Sequence, residues 1–316
     1  MREFELIANL FAPLATTKAA LGLKDDVALL RGRAADDLVL TTDTIVQGID
    51  FFARDPADTV AKKALRVNLS DLAAKGAKPI GYLLTLMLPK RTDLRWLRRF
   101  TKGLRADQRK YGVALLGGDL SATSGPLSVS ITALGSVPEG RAILRSGAKP
   151  GDLVFVSGTI GDSGGGLAAL KAKRREASLI ARYRLPEPRV ALGRELRSIA
   201  SAAIDVSDGL LADLGHLAEV SNVQITIEAA RIPVSTALRK FWGTGEAALV
   251  RAATSGDDYE IAFVVPPGKR AAVLAAAKRS RTRVSVIGVV QKGRGVALIG
   301  SNGRPIRVKN KGWQHF

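Results

Sequence analysis

The 316-residue chain contains no cysteine. That removes disulfides, thiolate metal sites and cysteine nucleophiles together. Histidine is nearly missing too, with only His216 and His315, too few for most imidazole-based catalysis or zinc chemistry. His216 falls in the helical pattern DLGHLAEV, where a structural role suffices. Aromatic residues make up 5% of the chain and lack the spacing of the stacking platforms that single-strand nucleic-acid binders use. No segment reaches the roughly 18 continuous apolar residues of a membrane span. The opening MREFELIANLFAPLA carries Glu3 and Glu5 and reads as an amphipathic helix, not a signal peptide. There is no GxxxxGK[ST] phosphate loop, and neither the glycine loop of protein kinases nor its HRD and DFG companions occur. These absences lead to the expectation of a cytoplasmic protein with neither a membrane nor a nucleic acid as partner.

Acids are the minority charge: 48 Lys plus Arg stand against 29 Asp plus Glu, a net charge of +19. The cations are dispersed in modest runs, such as Lys171 to Arg175 and Arg98–Arg99, which suits a solvated surface that steers anionic small molecules inward. The aspartates are placed more tellingly, at the ends of apolar runs or beside glycine turns. They occur in KDDVALL (Asp25, Asp26), LVLTTDT (Asp43), VNLSDLAAKGA (Asp71), ALLGGDL (Asp119) and AAIDVSDGLLADL (Asp205, Asp208). Carboxylates next to buried segments are costly unless neutralised. Hard cations with oxygen ligands do this, and Mg²⁺ carrying nucleotide phosphates is a common case. Each motif also has a plainer reading. Asp25–Asp26 is either a ligand pair or a turn that caps nothing, and Ser207–Asp208 serves as well as a helix cap. Asp205 has no capping role, and the five motifs together point to a magnesium-bound phosphate ester.

The length allows about two domains at roughly 150 residues each. Strand patterns at 38–44, 81–89, 113–119 and 126–137 alternate with helical patterns at 55–77 and 92–110. Asp55 is placed to cap the first of these helices, Pro56 to open it and Gly76 to end it. The stretch PEGRAILRSGAKPGD (138–152) is rich in glycine, proline and basic residues and suggests a division into domains 1–137 and 138–316. Beyond it, strand patterns recur at 153–158, 223–228, 259–265, 284–290 and 295–300. GDSGGG at 161–166 opens a helix, either to present backbone N–H groups to an anion or as a flexible turn. Strands interleaved with helices in both halves indicate α/β or α+β domains.

GLKDDVALL, TTDTIVQGIDF, DPADTVAKKALRVNLSDLAAKGAKP, LLGGDL, RSGAKPGD, AIDVSDGLLADLGH, SGDDYEI and KGWQHF resemble, in this order and over essentially the whole chain, the thiamine-monophosphate kinase family. That family shares a superfamily with aminoimidazole ribonucleotide synthetase and selenophosphate synthetase. The resemblance implies a two-domain aminoimidazole ribonucleotide synthetase-like fold, with an N-terminal sheet forming a homodimer interface and a C-terminal α/β domain. It implies transfer of the ATP γ-phosphate to thiamine monophosphate, giving thiamine diphosphate, with several Mg²⁺ ions. By motif, Asp26, Thr41, Thr42, Asp43, Asp71, Asp119, Asp205 and Asp208 correspond to metal ligands, with Asp43, Asp71 and Asp119 at the catalytic centre. Tyr111, Gly118, Asp119, Arg145 and Ser207 correspond to ATP contacts, and Asp50, Asp257 and Trp313 to the thiamine phosphate side.

The chain departs from the family pattern at Lys24, where glycine is frequent, at Asp50, where histidine is usual, and at Asp257, where glutamate is usual. The last two bear on substrate contacts more than on metal. Superfamily members that rely on cysteine fit poorly with a cysteine-free chain. SGDDYEI and KGWQHF argue against aminoimidazole ribonucleotide synthetase. A non-catalytic basic nucleotide- or nucleic-acid-binding protein is the alternative from another class, and intact acidic motifs weigh against it.

Overall fold

The computed structural model describes residues 28–31 and 35–314. The expected first helix, Lys24, Asp25, Asp26 and His315 lie outside the described residues. The first sheet consists of β1 (Ala28–Arg31), β2 (Asp36–Val46), β3 (Lys78–Pro89), β4 (Ala114–Thr123) and β5 (Ser128–Pro138). They lie side by side in the order β1-β2-β5-β3-β4, with only β3 and β4 parallel. Alternation along β2 sends Val39, Thr41 and Ile45 into the interior, where helices α1 (Ala57–Ala74) and α2 (Leu94–Tyr111) cover the sheet. The opposite face holds Leu40 and Thr42 of β2, paired in register with Leu134 and Thr132 of β5, and Leu83 of β3 in the same row. Ile80, Leu83, Leu115, Leu116 and Leu120 on β3 and β4 are between 42% and 67% exposed.

The second sheet, of seven described strands, runs in the order β12-β11-β8-β10-β6-β9-β7. Its members are β6 (Leu153–Ser157), β7 (Ala202–Asp205), β8 (Gln224–Glu228), β9 (Ile261–Val265), β10 (Val284–Gln291), β11 (Gly295–Ile299) and β12 (Pro305–Ile306). Its helices are α3 (Asp162–Lys171), α4 (Ala177–Arg184), α5 (Val190–Leu196), α6 (Leu210–Ser221), α7 (Thr236–Trp242), α8 (Glu246–Thr254) and α9 (Arg270–Arg279). Each sheet has its own apolar core.

Helix α1 joins them. It is buried around most of its circumference, polar Lys63, Arg66, Asn68 and Ser70 included, because its outer side is covered by the second half of the chain. Ala73 near its end belongs to a core cluster with Phe155, Leu192, Ala203 and Phe263. Gly103 lets α2 approach α1 closely, since a Cβ there would stand 2.5 Å from the Asp58 carbonyl oxygen.

Local endings differ from expectation in two instructive places. Asp55 does not cap α1. One of its carboxylate oxygens accepts from the Phe52 N–H, and the other pairs with Arg184 of α4, so it ties the helix entry to the other half of the chain. The GDSGGG turn does not offer its N–H groups to an external anion. The buried carboxylate of Asp258 accepts from Gly161 and Ser163, so the start of α3 is neutralised from within.

Candidate active site

Carboxylates from both halves of the chain meet at the junction. β2 supplies Asp43, α1 supplies Asp71, and the end of β7 with the turn after it supplies Asp205 and Asp208. Thr41, two residues before Asp43 and therefore on its face of the sheet, donates its hydroxyl to Asp71 at 2.5 Å. Burial, reinforced by the charges of Asp50 and Asp208, pushes the Asp43 carboxyl up to about 6. Burial pushes Asp205 up to about 6 as well, opposed first by a hydrogen bond from Ser70, with Asp43 adding to the rise and Arg145 and Lys75 opposing it. Asp71 is raised well above the usual range by burial and then by Asp205 and Asp43. These shifts record acids crowded into one poorly hydrated neighbourhood.

The turn from β7 into α6 is built to leave its acids available. The sequence left Ser207 and Asp208 open to either a capping or a ligand role. Capping falls to Asp213, inside the first turn of α6, which accepts from the N–H groups of Asp208 and Gly209. The helical offset Asp208–Asp213 was the available signal. Alongside this turn runs the SGDDYE loop, with the Asp257 N–H donating to Ser207 O and the Tyr259 N–H to Val206 O. Asp257 and Tyr259 both adopt positive φ, 73° and 52°, a conformation costly for side-chain-bearing residues and often found at functional sites. The Trp313 N–H donates to Asp208 O at 2.9 Å. Its ring is 57% exposed, so Trp313 is not a core residue.

The Asp257 carboxylate pairs with Lys63 of α1. The same ammonium donates to the Asp50 carbonyl oxygen and lies 4.1 Å from the centre of the Tyr183 ring. The Asp50 carboxylate accepts from the Val46 N–H, closing the turn after β2. Lys63, Tyr183 and Tyr259 were not singled out in the sequence, because a lysine or tyrosine in a helical or strand pattern carries no mark of burial beside acids.

Four expected residues stand elsewhere in the described structure. Thr42 points to the open face of the sheet, where its hydroxyl donates to Ile131 O, as strand alternation requires once Asp43 faces inward. Asp119 pairs in register with Thr85 of β3, which pairs with Ser130 and, beyond it, Thr44 of β2. It therefore shares Thr42's face, bonded to Ser121, and lies three strands from β2. Neighbouring Gly118, at φ 156°, is demanded by the chain itself, since a Cβ would sit 1.8 Å from Leu84 O. Tyr111 packs with the Arg66–Asp107 pair, its ring centre 5.7 Å from the Arg66 guanidinium, and not with the acidic centre.

Among the described residues no three carboxylate or imidazole groups form a ready-made metal cage. The donor set nonetheless suits a hard cation. It consists of oxygens only, burial holds its carboxyls above the usual carboxylate range, and the buried Asn68 Oδ1, one helical turn from Asp71, has no hydrogen-bond partner.

Residues 24–137 match the AIR synthase related protein N-terminal domain family, and residues 149–301 match the corresponding C-terminal domain family. The thiamine-monophosphate kinase of Caulobacter vibrioides is 43% identical over 99% of this chain and 90% of its own length. That of Escherichia coli K12 is 42% identical over 99% and 98%. This chain belongs to the thiamine-monophosphate kinase family. The solved structure described as AaThiL complexed with AMPPCP and TMP superposes with a TM-score of 0.87 at 32% identity, covering 100% of this chain and 97% of that one. The thiamine-monophosphate kinase structure from Stenotrophomonas maltophilia K279a gives 0.81 at 40% identity, covering 96% and 98%. Both of the family's domains are thus present, with the acidic centre where the two halves meet.

Proposed function

We propose that this chain transfers the γ-phosphoryl group of ATP to thiamine monophosphate, giving thiamine diphosphate, in a Mg²⁺-assisted in-line step. The observation that carries this reading, beside family membership, is the convergence of Asp43, Asp71, Asp205 and Asp208 from two sheets onto one junction. Asp43, Asp71 and Asp205 would hold Mg²⁺, with Asp208 and, outside the described residues, Asp26 adding to the set. The metal supplies positive charge to the phosphate oxygens in the transition state.

The chain's own residues do the rest. Arg145, whose charge reaches Asp205 and Asp213, can grip a nucleotide phosphate through two parallel N–H groups, and Ser207 is the second residue assigned to the nucleotide. The exposed Trp313 ring offers a face to the thiazolium cation, and Asp50 and Asp257 are the acids assigned to the same substrate. Lys63 fixes the Asp257 carboxylate and the Asp50 carbonyl in place. The acceptor is a phosphate already ionised at neutral pH, so no strong general base is required, in keeping with two histidines in the chain.

We further propose a homodimer formed through the open face of the first sheet, where exposed leucines gather. Asp119 lies on that face, opposite the one that carries Asp43. The reaction belongs in the cytoplasm, where ATP and Mg²⁺ are at hand.

Purified protein with MgATP should form thiamine diphosphate from thiamine monophosphate and not in one step from thiamine. Asp43→Asn should lower turnover by about 10²-fold or more, in line with other losses of transition-state charge stabilisation. Near-normal turnover of that variant at saturating Mg²⁺ would remove Asp43 from the mechanism.

A further inference from the structure

Lys75 is fully buried, among the largest side chains with no exposure to water, and nothing in the phosphoryl-transfer scheme uses it. It stands one helical turn after Asp71, at the C-cap of α1, so the two side chains leave the helix on the same side. Its ammonium donates to Ala203 O at 3.3 Å, on β7 two residues before Asp205. Its positive charge acts on both carboxylates. A lysine at a helix C-terminus is favoured by the helix dipole alone, but an exposed one would serve that purpose. Removing an ammonium from water is costly without acidic company, and here the company is the acidic centre.

We propose that Lys75 is a built-in counter-charge of the acidic centre, holding α1 and β7 together before a divalent ion arrives and weakening the grip on that ion. The inference rests on reading Asp71 and Asp205 as a divalent-cation site. A resident positive charge lets the two halves of the site assemble in metal-free protein, where the carboxylates would otherwise repel. It also opposes the incoming cation, so the ion stays exchangeable with the nucleotide it accompanies. Lys75 is a positioning residue: it acts on the ligands and touches neither substrate.

The test uses the full chain with Lys75→Met and Lys75→Gln, following Mn²⁺ binding by the paramagnetic resonance of free Mn²⁺ and the rise in Tm on adding Mg²⁺. Both neutral variants should bind Mn²⁺ about tenfold more tightly, as expected for removing one nearby charge at a partly hydrated site. They should melt below the wild type without metal and recover most of the difference with Mg²⁺. Unchanged Mn²⁺ affinity, or a Tm loss that Mg²⁺ does not recover, would overturn the proposal. If neither variant folds, Lys75→Met combined with Asp205→Asn removes both charges. Folding of that double variant supports the counter-charge role, and its failure shows a packing role instead and overturns the proposal. A wild type that binds no Mn²⁺ overturns the metal reading beneath it, an outcome distinct from unchanged affinity in the variants.

Discussion

A carboxyl that is shielded from water beside other carboxyls keeps its proton to higher pH than it would in the unfolded chain. Asp43 and Asp205, both raised from 3.8 to about 6, therefore bind protons in the folded protein that the unfolded chain has already released. Their stabilising contribution is complete below about pH 4 and is lost as pH rises through 6. In metal-free buffer, Tm should fall by several degrees between pH 5 and 7. Adding Mg²⁺ should restore it above pH 6, because the ion replaces the proton. Asp43→Asn with Asp205→Asn should flatten the profile. A metal-free Tm that climbs over this interval would contradict the crowding of acids described here. At this scale the sequence was legible where an acid broke an apolar pattern, as in TTDT and SDG. It was silent about direction: Thr42 and Asp119 lie on the open face of the sheet, opposite Asp43. It was silent too about which acid caps and which stays available, since Asp213 and Asp258 take capping duties that their neighbours could have filled.

At the level of elements, the apolar periodicity located both sheets because strands buried on one or both faces must show it. β1 and β12, four and two residues long, carry too short a pattern to be seen. Helix α1 illustrates what periodicity misses. Its polar residues look like a solvent face until a second domain covers them, and each then needs a partner. Arg66 finds one by forking onto both oxygens of Asp107, at 2.6 and 2.8 Å, while donating to Pro186 O at 2.9 Å. With Arg66 and Asp107 only 7% and 1% exposed, Arg66→Ala leaves a buried carboxylate unpaired and should cost about 3–5 kcal/mol in urea unfolding. Removing both charges with Arg66→Met and Asp107→Leu should recover most of that loss. An Arg66→Ala variant within about 0.5 kcal/mol of wild type would mean the pair is not needed.

For the whole molecule, the net charge of +19 is less evenly spread than the sequence suggests. Lys62, Arg95, Arg98, Arg99 and Lys102 line one groove of about 550 Å³ between α1 and α2. Arg98–Arg99 stood out as a run in the sequence; the helix brings Arg95 and Lys102 to the same side, α1 adds Lys62, and Asp58, paired with Arg99, is the one acid in the lining. The resemblance implied a sheet used for pairing, but alternation alone did not say which face is left uncovered. If two copies pair there, Leu83→Asp together with Leu116→Asp should convert a dimer into a monomer by light scattering. A wild type that is already monomeric at working concentration would end that proposal.

The covering of α1 by the second half of the chain has a practical consequence. Severing the protein between β5 and β6 would strip that helix of its outer shell and leave Asp43 and Asp71 in one fragment, Asp205 and Asp208 in the other. Neither piece would retain a complete set of ligands, and complementation in trans would have to rebuild a hydrophobic joint before any chemistry returned.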